Sequence, residues 1–131
     1  MNIAIVDDDK MKMENIKEYL LDIYSDDIVF YEFHSRNGCL KFIGEKPIDV
    51  LILDWVFPSF DDDIPEVDMG MEVLWELERQ NLKIPTIICS SDEIYLTNRE
   101  KRTYNVLGTI KYNSFLYQRE EFEKLLEKIE E

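Results

Sequence analysis

Acidic, hydroxyl and basic side chains follow four apolar segments of this sequence, at the point where each segment ends. In chain order, the segment 3–6 is followed by Asp7, Asp8 and Asp9, the segment 48–53 by Asp54, the segment 85–89 by Ser90 and Ser91, and the segment 106–110 by Lys111. Carboxylates brought together repel one another and raise each other's pKa unless a cation lies between them. Mg²⁺ is suited to that position, since it binds one or two carboxylates together with water and phosphate oxygens.

These residue types together suit phosphoryl transfer. That reaction depends mainly on positioning and on neutralising the charge of the transferred group. Asp54 could act as the nucleophile and form an acyl phosphate. The hydroxyl group of Ser90 and the ammonium group of Lys111 could each contact a phosphoryl oxygen. Ser90 is the better candidate than Ser91, because the strand expected from Pro85 ends there.

The segments that carry these residues alternate between strand and helix patterns. The predicted strands are 3–6, 28–33, 48–53, 85–89 and 106–110, and the predicted helices are 10–24, 36–45, 69–81, 92–104 and 114–131. Residues expected to face inward include Trp75 in the third helix and Phe115 in the last helix. Ser114 is expected to cap the N-terminus of that last helix. This alternation predicts a doubly wound, mostly parallel α/β sheet, in which the carboxyl ends of the strands share one edge.

Length and charge narrow the classes of function. A chain of 131 residues is expected to form one domain, and its 15 basic and 29 acidic residues give a net charge of −14. That charge disfavours nucleic acids and anionic membranes as partners. The N-terminus lacks a signal-peptide pattern and no apolar run could span a bilayer, so we expect a cytoplasmic protein. The single histidine, His34, argues against a zinc site built on several histidines.

The sequence resembles the receiver domains of two-component response regulators along nearly its whole length. The resemblance is carried by the acidic pair Asp7-Asp8 after the first strand, by Asp54 with Pro58 four residues later, by Ile84-Pro85 leading to Ser90, and by Lys111 after the fifth strand. It implies a flavodoxin-like (βα)5 fold whose five parallel strands lie in the order 2-1-3-4-5. It also implies that residues 1–131 form a single receiver domain with no output domain.

The same resemblance assigns roles to particular residues. Asp54 would be the phosphoacceptor. Mg²⁺ would be held by Asp8 directly, by Asp7 through water, and by Asp54 and the backbone carbonyl of Val56. Ser90 and Lys111 would contact the phosphoryl group. Such a domain is not an enzyme in the ordinary sense, although it would catalyse its own phosphorylation and dephosphorylation.

The resemblance also implies partners. A histidine kinase or a histidine phosphotransfer protein would supply the phosphoryl group. The signal would pass to a downstream protein through the face formed by the fourth helix, the fifth strand and the fifth helix. The chain would be a monomer or a weak dimer that forms on phosphorylation.

Three features depart from the receiver pattern. Tyr112 follows Lys111 where the family usually has a proline in a cis bond. Gly108 stands where the family usually has an aromatic residue that turns inward during switching, and Tyr104 or Tyr112 could substitute. The segment 59–68 is longer than usual and rich in acidic residues. It is either a solvated loop or a loop beside the metal site that controls access to it.

Two alternative functions stay open at this point. A degenerate receiver would keep the fold but bind its partner without phosphate. A phosphohydrolase resembling the haloacid dehalogenase family would use Asp7 and Asp9 as its Asp-x-Asp motif. Against the phosphohydrolase, residues 112–117 contain no acidic pair after Lys111, and Asp54 would have no role.

Overall fold

The computed structural model describes residues 1–25 and 27–130, and it places five strands in one parallel sheet. The strands are β1 (Asn2–Val6), β2 (Val29–Phe33), β3 (Val50–Leu53), β4 (Thr86–Ser90) and β5 (Val106–Lys111). Their order in the sheet is β2-β1-β3-β4-β5. The predicted fold class and strand order are therefore confirmed. Because β1 lies between β2 and β3, the strand order reverses there, which is where open α/β sheets bind ligands.

Helices cover both faces of the sheet. They are α1 (Lys10–Tyr24), α2 (Arg36–Leu40), α3 (Met69–Arg79), α4 (Asn98–Thr103) and α5 (Arg119–Leu126), the last continued by a 3-10 turn at Glu127–Glu130. Alternate residues of each strand point to opposite faces. In β1, Ile3 and Ile5 pack with α1 and α5, whereas Ala4 and Val6 pack with α2 and α3. The apolar run of β1 is therefore buried on both sides.

Local capping sets where two of the helices begin. The Asp9 carboxylate accepts a hydrogen bond from the backbone N–H of Lys12, and the Ser35 hydroxyl accepts one from Gly38. Such bonds satisfy N–H groups that have no partner in the first turn of a helix. The caps place α1 and α2 directly after β1 and β2, and the turn between β1 and α1 carries Asp7 and Asp8 at the sheet edge.

The prediction that the last helix begins at Ser114 is wrong. Side chains bond to the backbone within 113–118 and hold a turn there, so α5 begins at Arg119. Gln118 accepts from the N–H of Asn113 and donates to the carbonyl of Lys111, and the Asn113 side chain accepts from the N–H of Phe115. Such bonds compete with the helix. Phe115, expected to face inward, is 95% exposed.

Two further expectations need correction. The fourth helix begins at Asn98 rather than residue 92, because Thr97 and Glu100 form a capping box that sets its first turn. Trp75 is 56% exposed rather than buried. The buried stripe of α3 contains Val73, Leu74 and Leu77, and Trp75 lies outside it.

Within the described residues, no helix is long and apolar enough to cross a membrane.

Candidate functional site

The carboxylates of Asp7, Asp8 and Asp54 meet at the carboxyl edge of the sheet. One oxygen from each of them lies within 4.8 Å of the others. The backbone places them there: the N–H of Asp7 donates to Phe33 of β2, and the N–H of Asp54 donates to Val6 of β1. Asp7 and Asp54 are buried, whereas Asp8 is exposed. The structure thus brings together the three acidic side chains that the sequence predicts to be metal ligands.

Backbone hydrogen bonds orient the two buried carboxylates. Asp7 Oδ1 accepts from the N–H of Asp9 at 2.9 Å, and Asp54 Oδ1 accepts from the N–H of Trp55 at 2.7 Å. Asp54 Oδ2 accepts no hydrogen bond from the part of the chain that the structure describes. One oxygen of Asp54 is therefore held, and the other is available for chemistry.

A lysine that the sequence reasoning overlooked completes the cluster. The ammonium group of Lys12 lies 2.8 Å from Asp7 Oδ2 and 3.1 Å from Asp54 Oδ1, and it donates to the carbonyl oxygen of Cys89 at 2.7 Å. Only 3% of Lys12 is exposed. A signal was present in the sequence, because Lys12 stands four residues before Ile16 and eight before Leu20, on the buried stripe of α1.

Burial and charge perturb the pKa values of all three groups. Burial, together with the charge of Asp54, raises the pKa of Asp7 to about 7 against the opposing effect of Lys12. The pKa of Asp54 is also raised, mainly by burial. Burial lowers the pKa of Lys12, but the charges of Asp7 and Asp54 outweigh that effect and the net pKa is raised. Lys12 is therefore charged at neutral pH, whereas the two carboxylates are costly to ionise together.

Ser90 and Lys111 end β4 and β5 at the same edge, but their environments differ. Ser90 is buried, and its hydroxyl accepts from the N–H of Asp92 at 3.2 Å, whereas Ser91 is exposed. Lys111 is exposed, and its ammonium group makes no ion pair within the described residues. Val56 is half-buried two residues after Asp54. Ser90 is thus the last residue of β4 and is buried, whereas Ser91 lies outside the strand.

The loop after β5 differs from the family pattern as the sequence indicates. Residues 1–25 and 27–130 contain no cis peptide bond, so the bond between Lys111 and Tyr112 is trans. The Tyr112 ring is buried, its hydroxyl accepts from Asn15 at 2.7 Å, and its centre lies 5.5 Å from the Lys12 ammonium group. At Gly108, a Cβ atom would stand 2.6 Å from Leu125 Cδ2, so Leu125 fills the space beside the glycine.

The acidic segment 59–68 packs beside the cluster. The Ser35 hydroxyl donates to Asp61 at 2.5 Å, and the Trp55 indole donates to Asp68 at 2.9 Å. Asp61, Asp62 and Asp63 line one cleft together with Asp8. The loop is therefore held by Ser35 and by Trp55, the neighbour of Asp54, and it adds negative charge next to Asp8.

The donor set of the cluster fits Mg²⁺. Mg²⁺ is a hard cation that prefers carboxylate, carbonyl and water oxygens. Three carboxylates within 4.8 Å, two of them buried, supply such oxygens and carry more negative charge than Lys12 alone can neutralise. A cation at this point would relieve the repulsion that raises the pKa values of Asp7 and Asp54.

Comparison with known proteins identifies the class of this domain. Residues 3–130 match the model of the response regulator receiver domain family. The chain therefore belongs to that family, whose members are signalling domains rather than classical enzymes and interact with histidine kinases or phosphotransfer proteins. These findings do not favour the haloacid-dehalogenase-like alternative or the degenerate receiver. A search of curated proteins finds no match.

Solved structures show the same fold at low sequence identity. The response regulatory domain of mrkE from Klebsiella pneumoniae is 19% identical, with a TM-score of 0.73 and coverage of 99% of this chain and 95% of that one. TrrA from Thermotoga maritima, solved in complex with Mg(2+)-BeF, is 21% identical, with a TM-score of 0.60 and coverage of 95% and 97%.

A third similar structure is RcsB from Salmonella enterica serovar Typhimurium, bound to promoter rprA in the presence of phosphomimetic BeF3-. It is 17% identical, with a TM-score of 0.71. The match covers 99% of this chain but 61% of the RcsB chain, so this chain spans less than two thirds of that relative. Because RcsB was solved with DNA, the expectation that this chain avoids nucleic acid has no support from the comparisons.

Proposed function

We propose that Asp54 accepts a phosphoryl group from a histidine kinase or a histidine phosphotransfer protein, with Mg²⁺ as the cofactor. The observation that carries this proposal is the position of Asp54. It directly follows β3, beside the point where the strand order reverses, and its carboxylate meets those of Asp7 and Asp8 within 4.8 Å. Membership of the receiver family adds to this argument.

In the proposed reaction, Asp54 Oδ2 attacks the phosphorus atom while Oδ1 is held by the N–H of Trp55. The new bond joins the oxygen to phosphorus, and the bond from phosphorus to the donor's imidazole nitrogen breaks, with that nitrogen keeping the electron pair. Attack requires Asp54 to be ionised, and its raised pKa opposes this unless positive charge is near. Lys12 already supplies part of that charge.

Asp7, Asp8, Asp54 and the backbone carbonyl of Val56 would hold Mg²⁺. The ion would neutralise the charge of the carboxylates and of the transferred phosphoryl group. Ser90 and Lys111 would contact phosphoryl oxygens from the ends of β4 and β5. Because Lys111 is exposed and unpaired among the described residues, its ammonium group is free to turn toward the new negative charge.

We further propose that the chain acts as one receiver domain and signals through the surface of α4, β5 and α5. No residue of α4 is buried, so this helix is held to the sheet less firmly than α1 or α3. A phosphoryl group adds a charge of about −1.5 to −2, to which such a surface can respond. The chain would work in the cytoplasm as a monomer or as a weak dimer formed on phosphorylation.

The test is the intact mass of the protein after incubation with acetyl phosphate and Mg²⁺. The wild-type chain should gain one phosphoryl group, and the gain should disappear when Mg²⁺ is chelated. Asp54→Asn should gain none. Asp9→Asn is the matched control, because asparagine also caps helices and Asp9 has no proposed role in the reaction. An adduct on Asp54→Asn would contradict the assignment of the acceptor, and no adduct on any variant would favour a phosphate-independent binding module.

A further inference from the structure

The Lys12 ammonium group uses every hydrogen it has inside the acidic cluster. An ammonium has three N–H donors. Those of Lys12 reach Asp7 Oδ2, Asp54 Oδ1 and the carbonyl oxygen of Cys89, at 2.8, 3.1 and 2.7 Å. With 3% of its surface exposed, this lysine is part of the site and not of the surrounding surface.

No other described lysine has this environment. Lys17 lies on the same helix and pairs with Glu14 and Glu32 away from the sheet edge, and Lys111 is exposed. The buried charge of Lys12 is therefore maintained by the two carboxylates that the proposed function assigns to Mg²⁺ binding. A buried charge is costly unless it is paired in this way.

We infer that Lys12 is a cation built into the site, and that it competes with Mg²⁺ for Asp7 and Asp54. The inference rests on the proposed function, which names these residues as metal ligands. Lys12 stabilises the site when no metal is bound, and it weakens Mg²⁺ binding. The chain therefore requires a higher Mg²⁺ concentration for phosphorylation than it would without this lysine.

The physical reason is that the ammonium group and the metal ion draw on the same two carboxylates. The Lys12 ammonium group already donates to Asp7 Oδ2 and Asp54 Oδ1. Mg²⁺ would therefore share these carboxylates with Lys12, against the repulsion of a positive charge a few ångströms away in a poorly solvated site. Lys12 also lies beside the buried Tyr112 ring, which restricts its retreat on that side.

The test measures Mg²⁺ affinity without any phosphoryl donor. Trp55 adjoins Asp54 and is buried, and the only other tryptophan, Trp75, can be removed by Trp75→Phe so that the fluorescence reports on Trp55 alone. In this background, Lys12→Met, Lys12→Gln and Lys17→Met are titrated with MgCl₂, and isothermal titration calorimetry checks the dissociation constants. Lys17→Met is the matched control, since it removes the same charge from the same helix.

Lys12→Met should bind Mg²⁺ roughly tenfold more tightly than the Trp75→Phe parent, and Lys12→Gln should change in the same direction. Lys17→Met should stay within about twofold. Equal or weaker Mg²⁺ binding by both Lys12 variants would overturn the inference. An equal gain in Lys17→Met would also overturn it, because the effect would then reflect net charge alone.

Stability measurements cover the case in which Lys12→Met folds poorly. In EDTA its melting temperature should fall below that of the parent, and saturating Mg²⁺ should restore most of the loss. Failure of Mg²⁺ to restore folding would show that Lys12 serves packing only, and would overturn the inference. A wild-type chain that binds Mg²⁺ but takes no phosphoryl group would contradict the proposed function and leave the competition intact, so the two failures are distinguishable.

Discussion

Gly70 in α3 lies so close to Asp54 that a Cβ atom on Gly70 would stand 2.6 Å from the backbone carbonyl oxygen of Asp54. The same atom would lie 2.7 Å from a ring carbon of Trp55. The N–H of Gly70 donates to the carbonyl of Trp55 at 3.2 Å, so the first turn of α3 rests directly on the segment that follows β3. The position of the candidate phosphoacceptor thus depends on a residue without a side chain.

Gly70→Ala should therefore destabilise the protein by about 2 kcal/mol, because the added methyl group meets backbone that cannot turn aside. Urea unfolding followed by circular dichroism measures the loss. The matched control is Gly44→Ala, whose Cβ would meet its nearest atom at 3.9 Å and which should change stability by less than about 0.5 kcal/mol. Equal effects of the two substitutions would contradict the close contact at Asp54.

The metal-free protein should lose stability as pH rises from about 4 to about 7. The pKa of Asp7 is raised from 3.8 to about 7 in the folded chain, so in this window the folded state holds a proton that the unfolded state releases. The free energy of unfolding should fall by roughly 1 to 4 kcal/mol across the window. Urea titrations in EDTA at several pH values measure it.

Asp54→Asn should flatten this pH dependence. The charge of Asp54 is one cause of the raised pKa of Asp7, and an asparagine there removes the charge while its oxygen can still accept from Trp55. Asp9→Asn is the control and should keep the wild-type slope. A slope that is unchanged in Asp54→Asn would contradict the electrostatic coupling of the two carboxylates.

Gly108→Ala should cost about 1 kcal/mol, because its methyl group would stand 2.6 Å from Leu125 Cδ2 and the leucine must shift. In a Leu125→Ala background the same substitution should cost nothing or stabilise slightly. Chemical denaturation of the four chains of this double-mutant cycle gives the interaction energy. An equal cost in both backgrounds would show that Leu125 does not fill the space beside Gly108.

Neutralising the acidic loop should weaken Mg²⁺ binding. Replacing Asp61, Asp62 and Asp63 by asparagine removes three negative charges from a cleft that Asp8 also lines, and the dissociation constant should rise about two- to fivefold at low ionic strength. Added salt should reduce the difference. In the control variant, glutamine replaces Glu76, Glu78 and Glu127, which lie near the C-terminal ends of α3 and α5. Unchanged Mg²⁺ affinity in the loop variant would show that segment 59–68 is a solvated loop with no effect on the metal site.

The sequence allowed most of the framework to be predicted. The alternation of apolar runs and helical stripes predicts the parallel sheet, and the predicted starts of the first two helices, at residues 10 and 36, are correct. The start of α5 could not be predicted in this way. It depends on hydrogen bonds of Asn113 and Gln118 with the backbone, and these bonds outweigh the helical spacing of the apolar residues around them.

The sequence by itself determined that Asp7, Asp8 and Asp54 would meet, because residues that follow buried parallel strands must emerge at the same edge of the sheet. Only the tertiary structure decided which lysine meets them. Lys111 ends a strand, yet it is exposed to solvent. Lys12 belongs to a helix, and the packing of α1 against the sheet places its ammonium group between the two buried carboxylates. There it also donates to the carbonyl of Cys89, a residue 77 positions away in the sequence. The alternation of strands and helices follows from a periodic pattern, whereas the direction of one long side chain depends on how its helix is rotated against its neighbours.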